Sequence, residues 1–462
     1  MALSGSEQAS RVPSRFGVSH LWQRLKARFG DAEQLLVQRL AGTVFLIRVA
    51  AAVLAYGSQV LFARWMGSFE FGIYVYVWTW VLLIGQALDL GLATAAQRFI
   101  PEYRERRALD FLRGYIAGSR WIAFGIAACF AVICALIVRL LQPWLDDYTV
   151  IPLYLACISL PAYALANVQD GISRSYDWVG LGIFPTYIAR QLLLTLLMAA
   201  AYFAGLPLDA VTAMILAGAA IWLAVVGQLA ILNRRLAGRI EAGPKAYEVK
   251  RWIAAALPIV MVEGFYLVLT HTDVLVLQQF RSPAEVAVYY AATKTLALVA
   301  FVAYAVSATT AHRFTAFHAT GDRAGLAAFL ARSIRLTFWP SLAATVLVLA
   351  FGKPLLRLFG TEFVEGYYLM FILAIGLVAR ASVGPTGRLL NMLGEQRICL
   401  LVYVSAFVVN FGLCLVLIPP LGTAGAAIAT ATALVGESVM LFFLTKRRLG
   451  YHAFIWRRAA QR

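Results

Sequence analysis

An all-α polytopic membrane protein, with about twelve transmembrane helices in two pseudo-symmetric six-helix lobes around a central cavity, is the fold class this sequence predicts. Three observations predict it: an apolar excess, apolar runs of membrane-spanning length, and an internal repeat. Hydrophobic residues make up 61% of the 462-residue chain and charged residues only 14%, against about 25% charged in soluble domains. Apolar runs recur at lengths near the ~20 residues that cross a hydrocarbon core of ~30 Å. The repeat has a constant shift of 215 residues: Glu70, Tyr74, Leu83, Thr94, Ala96, Arg98, Phe99 and Arg120 recur as Glu285, Tyr289, Leu298, Thr309, Ala311, Arg313, Phe314 and Arg335. Duplicated halves are a common way to build two bundles that rock about one cavity.

In chain order, residues 1–40 form a basic tail without the apolar stretch of a cleavable signal peptide. Within it Trp22, Leu25, Phe29, Leu36 and Leu40 fall near one helical face, away from Arg24, Lys26 and Arg28. This pattern predicts an amphipathic helix lying on an anionic leaflet. Six spans follow, at 41–64, 72–97, 115–138, 149–169, 182–204 and 209–232, giving an N-lobe over 41–232. The linker 233–251 holds Gly238, Gly243, Pro244 and six basic residues, and reads as a hinge. Six more spans, at 252–278, 285–311, 336–352, 364–384, 399–418 and 423–445, give a C-lobe over 252–446. A second basic tail closes the chain at 447–462. Pro161 and Pro258 interrupt the fourth and seventh spans, and Pro340 opens the short ninth. Pro258 frees a carbonyl near Glu263 and makes the seventh helix a bending element. Gly422, Gly425 and the alanines up to Ala433 read as a close helix-packing face.

The formal charge of +17 is placed by topology. Both tails and the alternate loops carry 31 Lys and Arg, whereas the intervening loops hold only Arg64, Arg139, Arg281, Lys353 and Arg357. By the positive-inside rule both termini and the basic loops are cytoplasmic, and the span number is even. Two six-span halves then face the same way, so their repeat axis runs along the membrane normal. No basic patch with interleaved aromatics remains for nucleic acid.

Nine ionisable residues fall inside spans: Arg48, Arg190, Lys294, Arg380, Asp89, Glu263, His271, Asp273 and Glu437. Each costs about 2.5–3.5 kcal/mol at mid-bilayer, so they are expected to pair or to face a wet cavity. Arg48 lies about two turns into the first span and maps by the repeat onto Glu263. The two form an ion pair across the cavity floor, or else Arg48 binds an anion while Glu263 answers to a proton or cation. Lys294, Asp273 and His271 are positioned for a proton- or voltage-sensitive gate, or for structural pairing. Asp89, Arg190 and Glu437 lean toward the cytoplasmic half. Arg380 is near enough to its helix end to snorkel.

No catalytic, metal or cofactor motif is present. The five cysteines (Cys129, Cys134, Cys157, Cys399, Cys414) all lie in spans without metal-ligand spacing. There is no GxxxxGK[ST] run for ATP. The outer loops are short, which disfavours a membrane-embedded glycan polymerase or ligase.

The segment Ala63-Arg64-Trp65-Met66-Gly67-Ser68-Phe69-Glu70-Phe71-Gly72-Ile73-Tyr74 resembles the A-R-x-L-G-x-x-E-F-G-x-Y segment of bacterial polysaccharide-transporter flippases, with Met66 in place of the usual Leu. Leu88-Asp89-Leu90-Gly91-Leu92, Arg98-Phe99, Asp273 to Leu277, Val288 to Ala292, Lys294 and Gly422 to Ala427 extend the likeness over roughly 41–446. The resemblance is to the O-antigen, or lipid-linked oligosaccharide, flippase branch of the multidrug/oligosaccharidyl-lipid/polysaccharide exporter superfamily. It implies a V-shaped cavity between two lobes and no enzymatic activity. It also implies transport of an undecaprenyl-diphosphate-linked oligosaccharide across a bacterial inner membrane, for O-antigen or exopolysaccharide assembly. Arg48, Arg190 and Lys294 would then contact the diphosphate. As charges inside spans, Glu263, His271, Asp273 and Asp89 are expected to couple or gate, and Glu263 matches no motif of that family. The partners implied are the lipid-linked substrate, membrane lipids and polysaccharide polymerase or export proteins. A cation-coupled drug or metabolite extruder of the same fold is the alternative.

Overall fold

The structure is a computed structural model that describes residues 18–456, except thirteen positions between 302 and 319. Side chains are described from Val49 onward, Val179 excepted. The chain divides into two compact units, Met1–Ile47 and Arg48–Arg462. In the first, the backbone is helical from Val18; the faces expected for Trp22, Leu25, Phe29, Leu36 and Leu40 lie outside the described residues.

Among the described residues there is no strand, and ten helical stretches are long and apolar enough to cross a membrane. The first of these, Val49–Glu105, is more than one passage. Helix α1 (Val18–Ala87) contains one non-helical residue, Gly67, at φ 79° and ψ 167°. The rings of Phe62 and Tyr74 lie 6.2 Å apart, whereas twelve positions of unbroken helix would separate them by ~18 Å. The chain therefore turns back on itself at Gly67, a backbone conformation that glycine permits. A second break at residues 88–91 precedes α2 (Leu92–Glu105).

The first half continues with α3 (Leu109–Leu141), α4 (Asp147–Ser175), α5 (Val179–Ile183), a π-helical turn at Phe184–Ala189, α6 (Arg190–Phe203) and α7 (Ala210–Ala237). The Asp209 carboxylate caps α7 by accepting from the Thr212 N–H at 2.8 Å. Here α3 packs on α4, α4 on α2 and α7, and α6 on α7.

The second half opens with α8 (Val249–Phe280), which contains Pro258, and α9 (Pro283–Leu296). Ser282 caps α9, with Pro283 at its first position and Glu285 at the third, the spacing of a capping box. The positions described between Ala300 and Phe317 are also helical. Then come α10 (Arg323–Ala350), α11 (Gly352–Arg357), α12 (Tyr367–Val383), α13 (Thr386–Met392), α14 (Gln396–Leu421) and α15 (Thr423–Leu449). Helices α8, α14, α15 and α12 pack in sequence, with α10 against α12.

Three sequence expectations change. The ninth span, expected over 336–352, belongs to a helix that starts at Arg323, because its first turns carry Arg332 and Arg335 and escape an apolar window. The fifth span, expected as continuous over 182–204, contains the π turn with Pro185, whose missing N–H breaks the regular ladder. Arg380 does not snorkel. Its Nε lies 3.7 Å from the Glu437 carboxylate, which is 1% exposed, and its Nη2 donates to the Tyr266 hydroxyl at 2.9 Å. A carboxylate buried that deeply needs a cation, and the arginine turns inward to supply it.

The halves meet at two ends. Away from the basic loops, Phe71 sits 6.2 Å from both Tyr290 and Phe363, and Tyr56 5.4 Å from Phe359. A Cβ on Gly72 would overlap the Pro283 carbonyl, so only glycine allows this approach. At the basic end, Arg251 bridges Glu102 and Glu248 at 2.6 and 2.8 Å. Tyr103 donates to Glu248 at 2.6 Å and accepts from the Trp252 indole at 2.9 Å.

Candidate functional site

Between these contacts lies a cavity of about 960 Å³, walled by the second arm of α1, α2, α4, the π turn, α7, α8 and α13. Each charged side chain on its wall is placed by a local feature of the sequence.

Asp89 sits in the break between α1 and α2. Its carboxylate accepts the Gly91 N–H at 2.9 Å, an Asx-type turn that competes with helix continuation. Leu90 and Gly91 follow with φ 49° and 70°. Helix-breaking backbone at membrane depth is tolerated where it borders a cavity. Glu263 enters from α8, one turn beyond Pro258. Gly91 packs against Val260 and Ala256 of that helix, so the break at 88–91 meets α8 at the level of Pro258, which lies on the other face of the helix.

Arg190 follows the π turn at the start of α6. Its Nε donates to the Thr186 carbonyl at 3.4 Å, and its guanidinium rests 5.3 Å from the Trp78 ring centre, which in turn stacks on Tyr74. From α4 come Asp170 and Arg174, paired one turn apart with Nε to Oδ1 at 2.8 Å. Asn167 and Gln228 add amides, donating to the Gly85 and Leu181 carbonyls. Arg388, on α13 of the second half, completes the wall. Among the described residues neither Arg190 nor Arg388 has a carboxylate partner within ion-pair distance.

Of the expected site residues, the structure brings Arg190, Asp89 and Glu263 together on this cavity. The Arg48 side chain lies outside the described residues, and so does any pairing with Glu263. Lys294, His271 and Asp273 do not line the cavity. Asp273 is buried and accepts from Tyr289 at 2.5 Å and Thr430 at 3.0 Å. The Lys294 ammonium lies 4.8 Å from the Tyr290 ring centre. Asp170, Arg174 and Arg388 were not singled out by the sequence. The four-residue spacing of Asp170 and Arg174 is the signal that could have found two of them.

Comparisons with known proteins bear on this arrangement. The sequence model of a family described as polysaccharide biosynthesis protein matches residues 39–312. A second, described as MatE, matches residues 258–416. No protein of curated function matches the chain in sequence. Among solved structures, the chain is similar to an inward-facing multidrug resistance MATE family transporter of the MOP superfamily, at 14% identity and TM-score 0.70, covering 88% of this chain and 94% of that one. It is also similar to the lipid II flippase MurJ in an inward closed conformation, at 16% identity and TM-score 0.69, covering 87% of each. The outward-facing form of a multidrug resistance MATE transporter matches at 13% identity and TM-score 0.64, covering 89% of this chain and 95% of that one. At such identities the likeness establishes the fold.

Proposed function

The chain belongs to the polysaccharide biosynthesis protein family, and from that premise we propose that it is a flippase for a lipid-linked oligosaccharide, working by alternating access. One observation carries the proposal. Arg190 from the first half and Arg388 from the second face one cavity of about 960 Å³ without a carboxylate partner there among the described residues. Guanidinium groups bind phosphate oxygens through paired N–H donors and are less strongly hydrated than ammonium. Two of them on opposite halves suit a diphosphate that must leave the headgroup region. The cavity volume is at the upper end of the ~300–1,000 Å³ range of small-molecule sites, enough for the diphosphate and the first sugars.

In this account the polar head enters from the basic end, which the charge asymmetry assigns to the cytoplasm, while the lipid tail stays in the bilayer. The aromatic cluster of Phe71, Tyr290 and Phe363 must part for release on the other side. The break at 88–91 and Pro258 of α8 are adjoining bending points for that exchange. Asp89 and Glu263 are the groups a coupling proton or cation would meet, and an ion gradient or the membrane potential supplies the energy. The membrane is the bacterial inner membrane with both termini cytoplasmic. Polymerase or export proteins take up the product.

Replacing Arg190 with Ala in the native host tests the proposal. Surface polysaccharide is expected to disappear while protein level stays normal and lipid-linked glycan accumulates inside. Wild-type polymer output would remove Arg190 from the mechanism. A second reading, a cation-coupled extruder, draws on the three carboxylates Asp89, Asp170 and Glu263 in the cavity and on the MatE match. It predicts that Glu263→Gln abolishes drug export while polymer output is unchanged.

A further inference from the structure

A second pocket, of about 360 Å³, lies away from the cavity at the basic end of the first half. Four elements converge on it. Arg104 comes from the last turn of α2, Arg107 from the turn before α3, Tyr176 from the end of α4 and Arg239 from the residues after α7. Leu112 and Ile240 form part of the apolar wall. No acidic residue lines the pocket, and among the described residues no carboxylate pairs with these three arginines.

Two of the arginines lie over aromatic rings. Arg104 lies 5.1 Å from the centre of the Tyr176 ring, and Arg239 lies 5.2 Å from that of Trp178. The two rings stack at 4.9 Å. Arg107 is fixed at φ 53°, a left-handed conformation uncommon outside glycine. Tyr176 is 5% exposed and its hydroxyl has no hydrogen-bond partner. Burial holds that phenol above its ordinary value, so it stays a donor. A buried donor without an acceptor costs stability, and here the charges of Arg104 and Arg239 act on it. We propose that this pocket is a binding site for a phosphate group at the membrane surface, separate from the cavity. The phosphate is that of an anionic lipid headgroup or a soluble phosphate; both present the same oxygens to the same donors.

The test uses the full-length protein in phosphatidylcholine nanodiscs, comparing wild type with Arg104→Gln/Arg239→Gln and with Tyr176→Phe, which keeps the ring packing. Thermal unfolding is followed in one arm while phosphatidylglycerol replaces phosphatidylcholine. In the other arm inorganic phosphate is titrated. Wild type is expected to be stabilised in one arm, with the midpoint moved at least about tenfold in both variants, as loss of a charged hydrogen bond implies. Stabilisation by phosphatidylglycerol identifies a headgroup as the source, and stabilisation by phosphate identifies a soluble anion. If wild type responds in neither arm, or if the variants respond as wild type does, the proposal is overturned.

Discussion

The charged side chains divide by what surrounds them. Arg190 and Arg388 face open volume, whereas Arg380 and Glu437 face each other. Breaking a buried ion pair by removing one member strands the other, at a cost of about 3–5 kcal/mol. Because Arg380 retains partial exposure, Arg380→Met should fall at the low end of that range in thermal or denaturant unfolding. Adding Glu437→Leu should recover most of the loss. A double variant as unstable as the sum of both singles would show that the two do not interact. The sequence revealed Asp89, Arg190 and Glu263 because a charge at mid-span demands a reason. It did not reveal Asp170, Arg174 and Arg388, whose arginines sit where the charge rule already accounts for them. It grouped Lys294 with the cavity because span depth is legible from sequence while the direction a helix face points is not.

At the scale of the element, the helices are interrupted at Gly67, at residues 88–91 and at the π turn, and α8 carries Pro258 inside it; the proposed mechanism places its bending at 88–91 and Pro258. Gly91→Ala must hold alanine at φ 70° and press a methyl against Val260, which costs about 1–2 kcal/mol in backbone terms. Transport should fall with it, read as glycolipid accumulation at normal protein level; undiminished transport would show that the break is not a working hinge. Glu248 joins α2 to the linker. Its carboxyl is held below the ordinary value of 4.5 by the hydrogen bond from Tyr103 and then by Arg251. A depressed carboxylate contributes stability that is complete above its unfolded value and disappears as pH falls through the folded one. The melting temperature of Glu248→Gln should therefore lie below wild type at neutral pH and converge with it as pH drops below 4.5. A gap independent of pH would assign the effect to packing. Pro258 was legible in the sequence as a proline inside a span, and it lies inside the continuous helix α8. The break at Pro185 was not legible, because the span around it was apolar enough to read as continuous.

For the whole molecule, the repeat was legible because duplication kept the turn and core residues. Glu70 and Glu285 both lie at the start of the arm after a reversal of the chain, and Phe99 and Phe314 are both fully buried. The pairs ending in Thr309, Ala311 and Arg313 lie outside the described residues. What the repeat could not give is how the halves touch, since that depends on single close approaches such as Gly72 on Pro283. The halves are joined by aromatic rings at one end and by the Glu102, Arg251 and Glu248 bridge at the other. Alternating access requires these two sets of contacts to open in turn.

The most direct measurement is translocation of an undecaprenyl-diphosphate-linked oligosaccharide in proteoliposomes bearing an ion gradient. Wild type is compared with Arg190→Ala/Arg388→Ala at equal folded content. The account predicts transport by wild type and a loss of at least about tenfold in the variant, the scale set by hydrogen bonds to a charged group. Equal transport by the two proteins would contradict it.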